Sequence, residues 1–147
     1  MHAVALLAVL TALVAAPVAS AAEANGGGHG TVDGTTPFSQ FGFGVRSEGG
    51  ALTGHFNCLM AGASEFAGFD LMAVRGEVET AVIGSASAVL RGSGMLQTGN
   101  QGKEPATFTV VVTEGGPGVG TLQLTLWTPF VFVLRVERVL DGRISIR

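Results

Sequence analysis

Residues 106–113 read Ala-Thr-Phe-Thr-Val-Val-Val-Thr, and residues 121–126 read Thr-Leu-Gln-Leu-Thr-Leu. In the first stretch Phe108, Val110 and Val112 alternate with Thr107, Thr109, Val111 and Thr113; in the second, Leu122, Leu124 and Leu126 fall on one side. A strand sends successive side chains to opposite faces, so each stretch has one face for a core and one for solvent. The link between them, Glu-Gly-Gly-Pro-Gly-Val-Gly at 114–120, is a loop by composition and too short for a crossover helix. Two half-buried strands joined in this way run antiparallel.

The same grammar extends outward in both directions. Phe41, Phe43 and Val45 share a face while Gly42 and Gly44 take the other, and Gly49-Gly50 supplies a hairpin turn into a strand from Ala51 to Met60. Residues 61–68 read as a looser connection, followed by strand stretches 69–74 and 77–83 meeting at Arg75-Gly76. Residues 85–96 form the next strand, in which Gly92 and Gly94, two apart, mark a bulge or a sharp bend. Beyond the Leu-rich strand, residues 130–136 and 143–146 read as strands, with Asp141-Gly142 as a turn dipeptide between them. The expectation is an all-β domain over 30–147: a single antiparallel β-barrel or sandwich of roughly eight to ten strands. Phe41, Phe43, Phe108, Val110, Val112, Leu122 and Leu124 should point inward. Barrel closure is preferred, because paired glycines on one face suit strongly coiled strands.

Composition agrees. A chain of 147 residues is one domain by default, and 23 glycines weigh against a helical bundle, since each interior Gly costs a helix about 1 kcal/mol relative to Ala. The glycines have no three-residue period, which excludes collagen. The N-terminus is different in kind. An apolar run from Ala3 to Val18, interrupted by Pro17, leads into Ala19-Ser20-Ala21, a small-x-small cleavage site, although the segment before the run lacks Lys and Arg. Residues 1–21 are therefore expected to be a secretory signal peptide cleaved after Ala21, with 22–29 a flexible leader. The mature chain should have no membrane span, because the stretch from Val119 to Leu134 is too short and too polar to cross a bilayer. The single cysteine, Cys58, cannot form an internal disulfide; it shares a face with Phe56 and Met60 and reads as a buried, inert thiol.

Several short stretches resemble the post-COAP domain family of exported bacterial proteins. They are His29-Gly30-Thr31, Phe41-Gly42-Phe43, Leu52-Thr53-Gly54-His55-Phe56-Asn57, Phe108 to Thr113 followed by Pro117-Gly118, and Gly142-Arg143-Ile144-Ser145-Ile146. The chain departs from that family's pattern at Glu114-Gly115-Gly116 and in the long apolar segment from Trp127 to Val139. The resemblance implies a small secreted β-domain associated with surface-anchor modules, and it brings no catalytic residues.

The residues themselves argue against catalysis. After cleavage only His29 and His55 remain as histidines, His29 falls in the expected leader, and no Gly-x-Ser-x-Gly elbow occurs. His55 and Cys58, three apart, would face opposite ways on a strand, and the acids are not grouped as metal ligands, so no metal site is expected. Gly99-Asn100-Gln101-Gly102-Lys103-Glu104 lacks the spacing of a phosphate loop and Gly116 to Gly120 opens no helix, so no cofactor is expected. The eight Lys and Arg residues are dispersed in a chain of net charge −3, which is not the footprint of a nucleic-acid partner.

What remains is a secreted or cell-surface module without chemistry of its own, binding an unidentified partner of the envelope or extracellular space. Its candidate binding residues are Trp127 and Phe130, which flank Thr128-Pro129, together with His55. Trp127 fits a core position or a binding rim for a glycan or a partner edge. One alternative is a lipocalin-like carrier holding a small apolar molecule inside the barrel. Another is a secreted isomerase or cyclase using His55 with Glu77 or Glu79.

Overall fold

A computed structural model describes residues 21–66 and 69–147. All but the last residue of the expected signal peptide lies outside the described residues. Within them the chain forms nine strands: β1 (Ala22–Thr31), β2 (Ser39–Glu48), β3 (Ala51–Phe66), β4 (Phe69–Ile83), β5 (Ser87–Thr98), β6 (Lys103–Thr113), β7 (Thr121–Trp127), β8 (Val131–Val133) and β9 (Glu137–Ile146). Each strand pairs antiparallel with its sequence neighbour from β1 through β8, and β9 returns to β1 on one side and to the start of β7 on the other. The β6–β7 ladder closes the ring, so the sheet is an up-and-down barrel with β8 as a short spur on the end of β7. The loop at 114–120 reinforces the seam by exchanging backbone hydrogen bonds with Val139 and Ile144 of β9. Closure removes the exposed ladder that an open sheet of this size would present to other chains.

The core lies inside the ring. All seven residues expected to point inward are buried, joined there by Phe56, Cys58, Met60, Met72, Val74, Leu90, Leu96, Leu126 and Ile144. The Phe56 and Phe108 rings sit 5.2 Å apart at a 37° tilt, near the middle of the interior. An eight-strand ring is just wide enough for side chains to fill, and large residues need small ones opposite. Gly92 and Gly76 fill that role: a methyl at Gly92 would collide with the Glu77 carbonyl and lie 2.7 Å from the Phe108 ring, and one at Gly76 would lie 2.8 Å from the same ring. The bulge expected near Gly92 occurs on its partner strand. The β4–β5 register skips Glu79, pairing Val78 with Gly92 and Thr80 with Arg91. Inward parity accordingly changes from Met72, Val74 and Val78 to Ala81 and Ile83.

Five expectations are corrected. The flexible leader is instead β1, paired with both β2 and β9, because Gly26 and Gly28 pack against neighbours rather than swing free: a methyl at Gly26 would lie 2.5 Å from the Phe43 ring. The loose connection over 61–68 is largely strand, since β3 continues to Phe66. Arg75-Gly76 interrupts nothing, because β4 runs through it with Gly76 facing the core. The strand expected over 130–136 is only Val131–Val133, after which Arg135 and Val136 both point outward and kink the chain. Asp141-Gly142 lies inside β9 and is not a turn between strands: both residues stay paired with β1, the register shift between His29 and Gly30 skips Leu140 next to them, and Gly142 adopts φ +88°. Primed hairpin turns and glycine-type bulges both place a glycine at positive φ, so an Asp-Gly dipeptide fits either setting. Gly49-Gly50 does make the expected hairpin, with φ of +58° and +82°.

Candidate functional site

The three candidate residues separate into two places on the outer surface. His55 points outward from β3, directly across the ladder from Glu77 of β4. Both line an open groove of about 470 Å³ with Glu23, Asn25 and Arg46. Among the described residues His55 makes no ion pair; the nearby pairs are Arg46 with Glu23 and with Glu48. Glu79, the other acid considered with His55, faces solvent at the β4 bulge and accepts a hydrogen bond from the Ser93 hydroxyl. These residues thus stand on an open wall rather than around an enclosed reacting centre.

Trp127 and Phe130 belong together, at the opposite edge of the ring from His55. β7 and β8 form a hairpin in which Trp127 pairs with Val131 and Thr125 with Val133, so Trp127, Val131 and Val133 share its outer face. Of the two positions open to Trp127 the structure excludes the core, since it is 39% exposed, while Phe130 is 71%, Val131 59% and Val133 66% exposed. Val136, on the kink that follows, is exposed as well. Trp127 lies as a ridge between two grooves of about 520 and 470 Å³, one lined by Ser93, Met95 and Pro105, the other by Glu79, Arg91 and Thr109. The inner face of the same hairpin, Leu126 and Phe132, packs toward the core and fixes the outer face in place. Single exposed hydrophobes are ordinary, but contiguous ones mark contact surfaces.

A third arrangement was not anticipated. Glu137, at the start of β9, points into the barrel and is 1% exposed. Its Oε2 accepts a hydrogen bond from the Ser39 hydroxyl, while Oε1 has no partner among the described residues. A carboxylate withdrawn from water favours its protonated form, and burial pushes Glu137 up to about 7 despite the opposing Ser39 bond. Cys58 lies close enough to sense that charge. Burial first and the Glu137 carboxylate second push its thiol up to about 12. Thiol reagents should therefore modify the folded protein slowly and the denatured protein at once; immediate stoichiometric labelling of native protein would show Cys58 to be accessible.

On the outside of the same end, His29 and Asp141 form a cross-strand pair. Imidazole Nδ1 lies 2.9 Å from Oδ2, the His29 amide donates to Oδ1 at 3.1 Å, and these bonds hold the Asp141 carboxyl below its ordinary value. His29 is thus a fixed element of the β1–β9 bulge rather than part of a free leader. Among the described residues no three His, Cys, Asp or Glu side chains gather as metal ligands. No helix among them is long and apolar enough to cross a membrane. No protein-family model, curated protein or solved structure matches the chain.

Proposed function

We propose that the chain is an exported, non-catalytic binding module of the cell envelope or extracellular space, which engages its partner through the outer face of the β7–β8 hairpin. The observation that carries this reading is the run of exposed Trp127, Phe130, Val131 and Val133 on one short hairpin whose inner face packs on the core, continued by exposed Val136 on the kink that follows. Exposing so much carbon works against solubility and is useful where a partner covers it. Export is supported by the apolar run ending in Ala19-Ser20-Ala21, and the surface-module character agrees with the post-COAP-like stretches. The outward placement of His55, Glu77 and Glu79 gives the isomerase or cyclase alternative no enclosed centre among those residues. A carrier would need room inside, and the interior positions of this ring are taken by Phe41, Phe43, Phe56 and Phe108.

The test follows the chain expressed with its N-terminal segment. The exported product should begin within a residue or two of Ala22 and fractionate with the envelope. Replacing Phe130 and Val133 by Ser should release it while leaving thermal unfolding unchanged. Retention unaffected by the double replacement would overturn this reading of the hairpin.

A further inference from the structure

We propose that the partner of this hairpin is an extended segment of another protein, which adds to the free edge of β8 as a further strand. The proposal deepens the binding-module reading and rests on it.

The hydrogen-bond parity of the hairpin selects a strand as the occupant. β8 pairs only with β7, and β6 holds the other side of β7, so the second edge of β8 has no strand beside it. In an antiparallel pair, alternate residues direct both backbone groups toward the partner, and the residues between direct theirs away. Here the Thr128 amide donates to the Phe130 carbonyl at 2.8 Å and the Leu134 amide to the Leu124 carbonyl at 3.0 Å, so the even-numbered residues of this stretch face β7. Val131 and Val133 therefore aim their N–H and C=O groups at the open edge. Neither backbone bonds to another segment there among the described residues. Two donors and two acceptors at strand spacing match an extended backbone, whereas an apolar face alone would accept any covering.

The neighbouring strands leave that edge open. β9 lies on the same side of β7 as β8, and its own neighbour β1 ends at Thr31, opposite Arg138. Residues 32–36 then bend, with Asp33 Oδ1 accepting from the Thr35 amide at 2.8 Å and the Thr36 amide at 2.7 Å. The Phe38 amide donates back to Gly30, so the chain turns toward β2, on the far side of β1 from β9. An incoming strand antiparallel to β8 would continue the line of β1.

Charge specifies the segment further. Arg135 is exposed two residues beyond Val133 and makes no ion pair among the described residues, and no acid occurs from Gly115 to Val136. The matching segment carries apolar residues opposite Val131 and Val133 and an acid two residues before the first of them, against Arg135. A second copy of the chain does not supply that acid. Two β8 edges paired about Phe132 would set Arg135 against Pro129, which has neither charge nor amide hydrogen. Pro129 before the strand and the kink after it keep the edge three residues long, which suits one short segment and not a growing sheet.

A fluorescent peptide with two valines at alternate positions and an aspartate two residues before the first, blocked at both ends, would be titrated with the mature chain. Binding would be read by anisotropy, and saturation is expected. N-methylation of the two valine amides should abolish binding, while N-methylation of the residue between them, whose amide faces away from β8, should leave it unchanged. Val133→Pro removes one free donor but keeps the β7 ladder and most of the apolar carbon, and it should weaken binding at least about ten-fold. Arg135→Gln should weaken it about two- to five-fold, the worth of an exposed ion pair. Unchanged thermal unfolding would confirm that both variants fold, and the methylated peptides test the edge without any variant. Absence of saturable binding, equal effects of the two methylations, or parental binding by Val133→Pro would overturn the proposal. So would a concentration-dependent dimer that Val133→Pro dissolves, since the occupant would then be a second copy. If envelope retention is lost with Phe130→Ser and Val133→Ser but survives Val133→Pro, the hairpin reading stands and only the edge assignment falls.

Discussion

Phe108→Ala should destabilise the barrel by about 3–5 kcal/mol, measured by chemical denaturation with the midpoint falling and the slope unchanged. The ring is 1% exposed and tilts against Phe56 at 5.2 Å. Its other neighbours explain why the loss should lie in the upper part of that range. A truncated core residue costs less when the surroundings can collapse into the space, and here two of the walls are glycine backbone. Gly76 and Gly92 approach the ring closely, but neither has a side chain that can swing inward, and both strands are held by ladders on each side. The cavity should therefore persist. Val112→Ala, which removes less carbon, should cost distinctly less. Equal losses for the two variants would mean that Phe108 is not the centre of the packing.

The same glycines explain why some of the fold was legible in the sequence and some was not. Alternation identifies a strand only where side chains differ between its two faces. Residues 106–113 satisfy that condition, and the pairing of β6 with β7 followed directly. Residues 26–28 cannot satisfy it. Three glycines in a row carry no alternation and read as a linker, yet Gly26 is glycine because the Phe43 ring occupies the space where a side chain would stand. Bulges hide strands in a second way. Along β9, Glu137 and Val139 face inward before the bulge and Ile144 and Ile146 after it, so the inward positions change from odd to even numbers. No single period spans such a segment, and it divides into a turn and a short strand on reading.

The candidate site was partly legible for related reasons. Trp127 and Phe130 beside Thr128-Pro129 were visible as aromatics at a turn, and their exposure on one hairpin is what the structure adds. Val131 and Val133 were hidden, because valines in a strand read as core when the strand's partner and parity are unknown. Glu137 was invisible. A glutamate between Val136 and Arg138 looks like any solvated strand position, and only the kink at Arg135 and Val136, which places two successive residues outward, turns it into the barrel.

That inward turn should give the protein a pH dependence opposite to the usual one for a carboxylate. Glu137 is held up to about 7 in the folded chain from an ordinary value of 4.5. Below the ordinary value both folded and unfolded chains carry the proton, and the group is neutral in its effect. As pH rises toward 7 the unfolded chain releases its proton while the folded chain keeps it, so folding stability falls by up to about 1.4 kcal/mol per pH unit. Above 7 both states are ionised and the loss levels off at about 3 kcal/mol. Neighbouring groups act in other windows. Asp141, held low by His29, adds stability that is lost only as pH falls through the acid range, and Cys58 titrates far above neutrality. Glu137→Gln keeps an acceptor for the Ser39 hydroxyl and removes the charge. Its unfolding midpoint should match that of the parent near pH 5, exceed it clearly at pH 8, and vary little between the two. Breaking a buried ion pair would do the reverse, and among the described residues no cation stands within ion-pair reach of Glu137. A parent protein more stable at pH 8 than at pH 5, or a Gln variant weaker than the parent at pH 8, would show that the carboxylate has a partner and that its charge supports the fold.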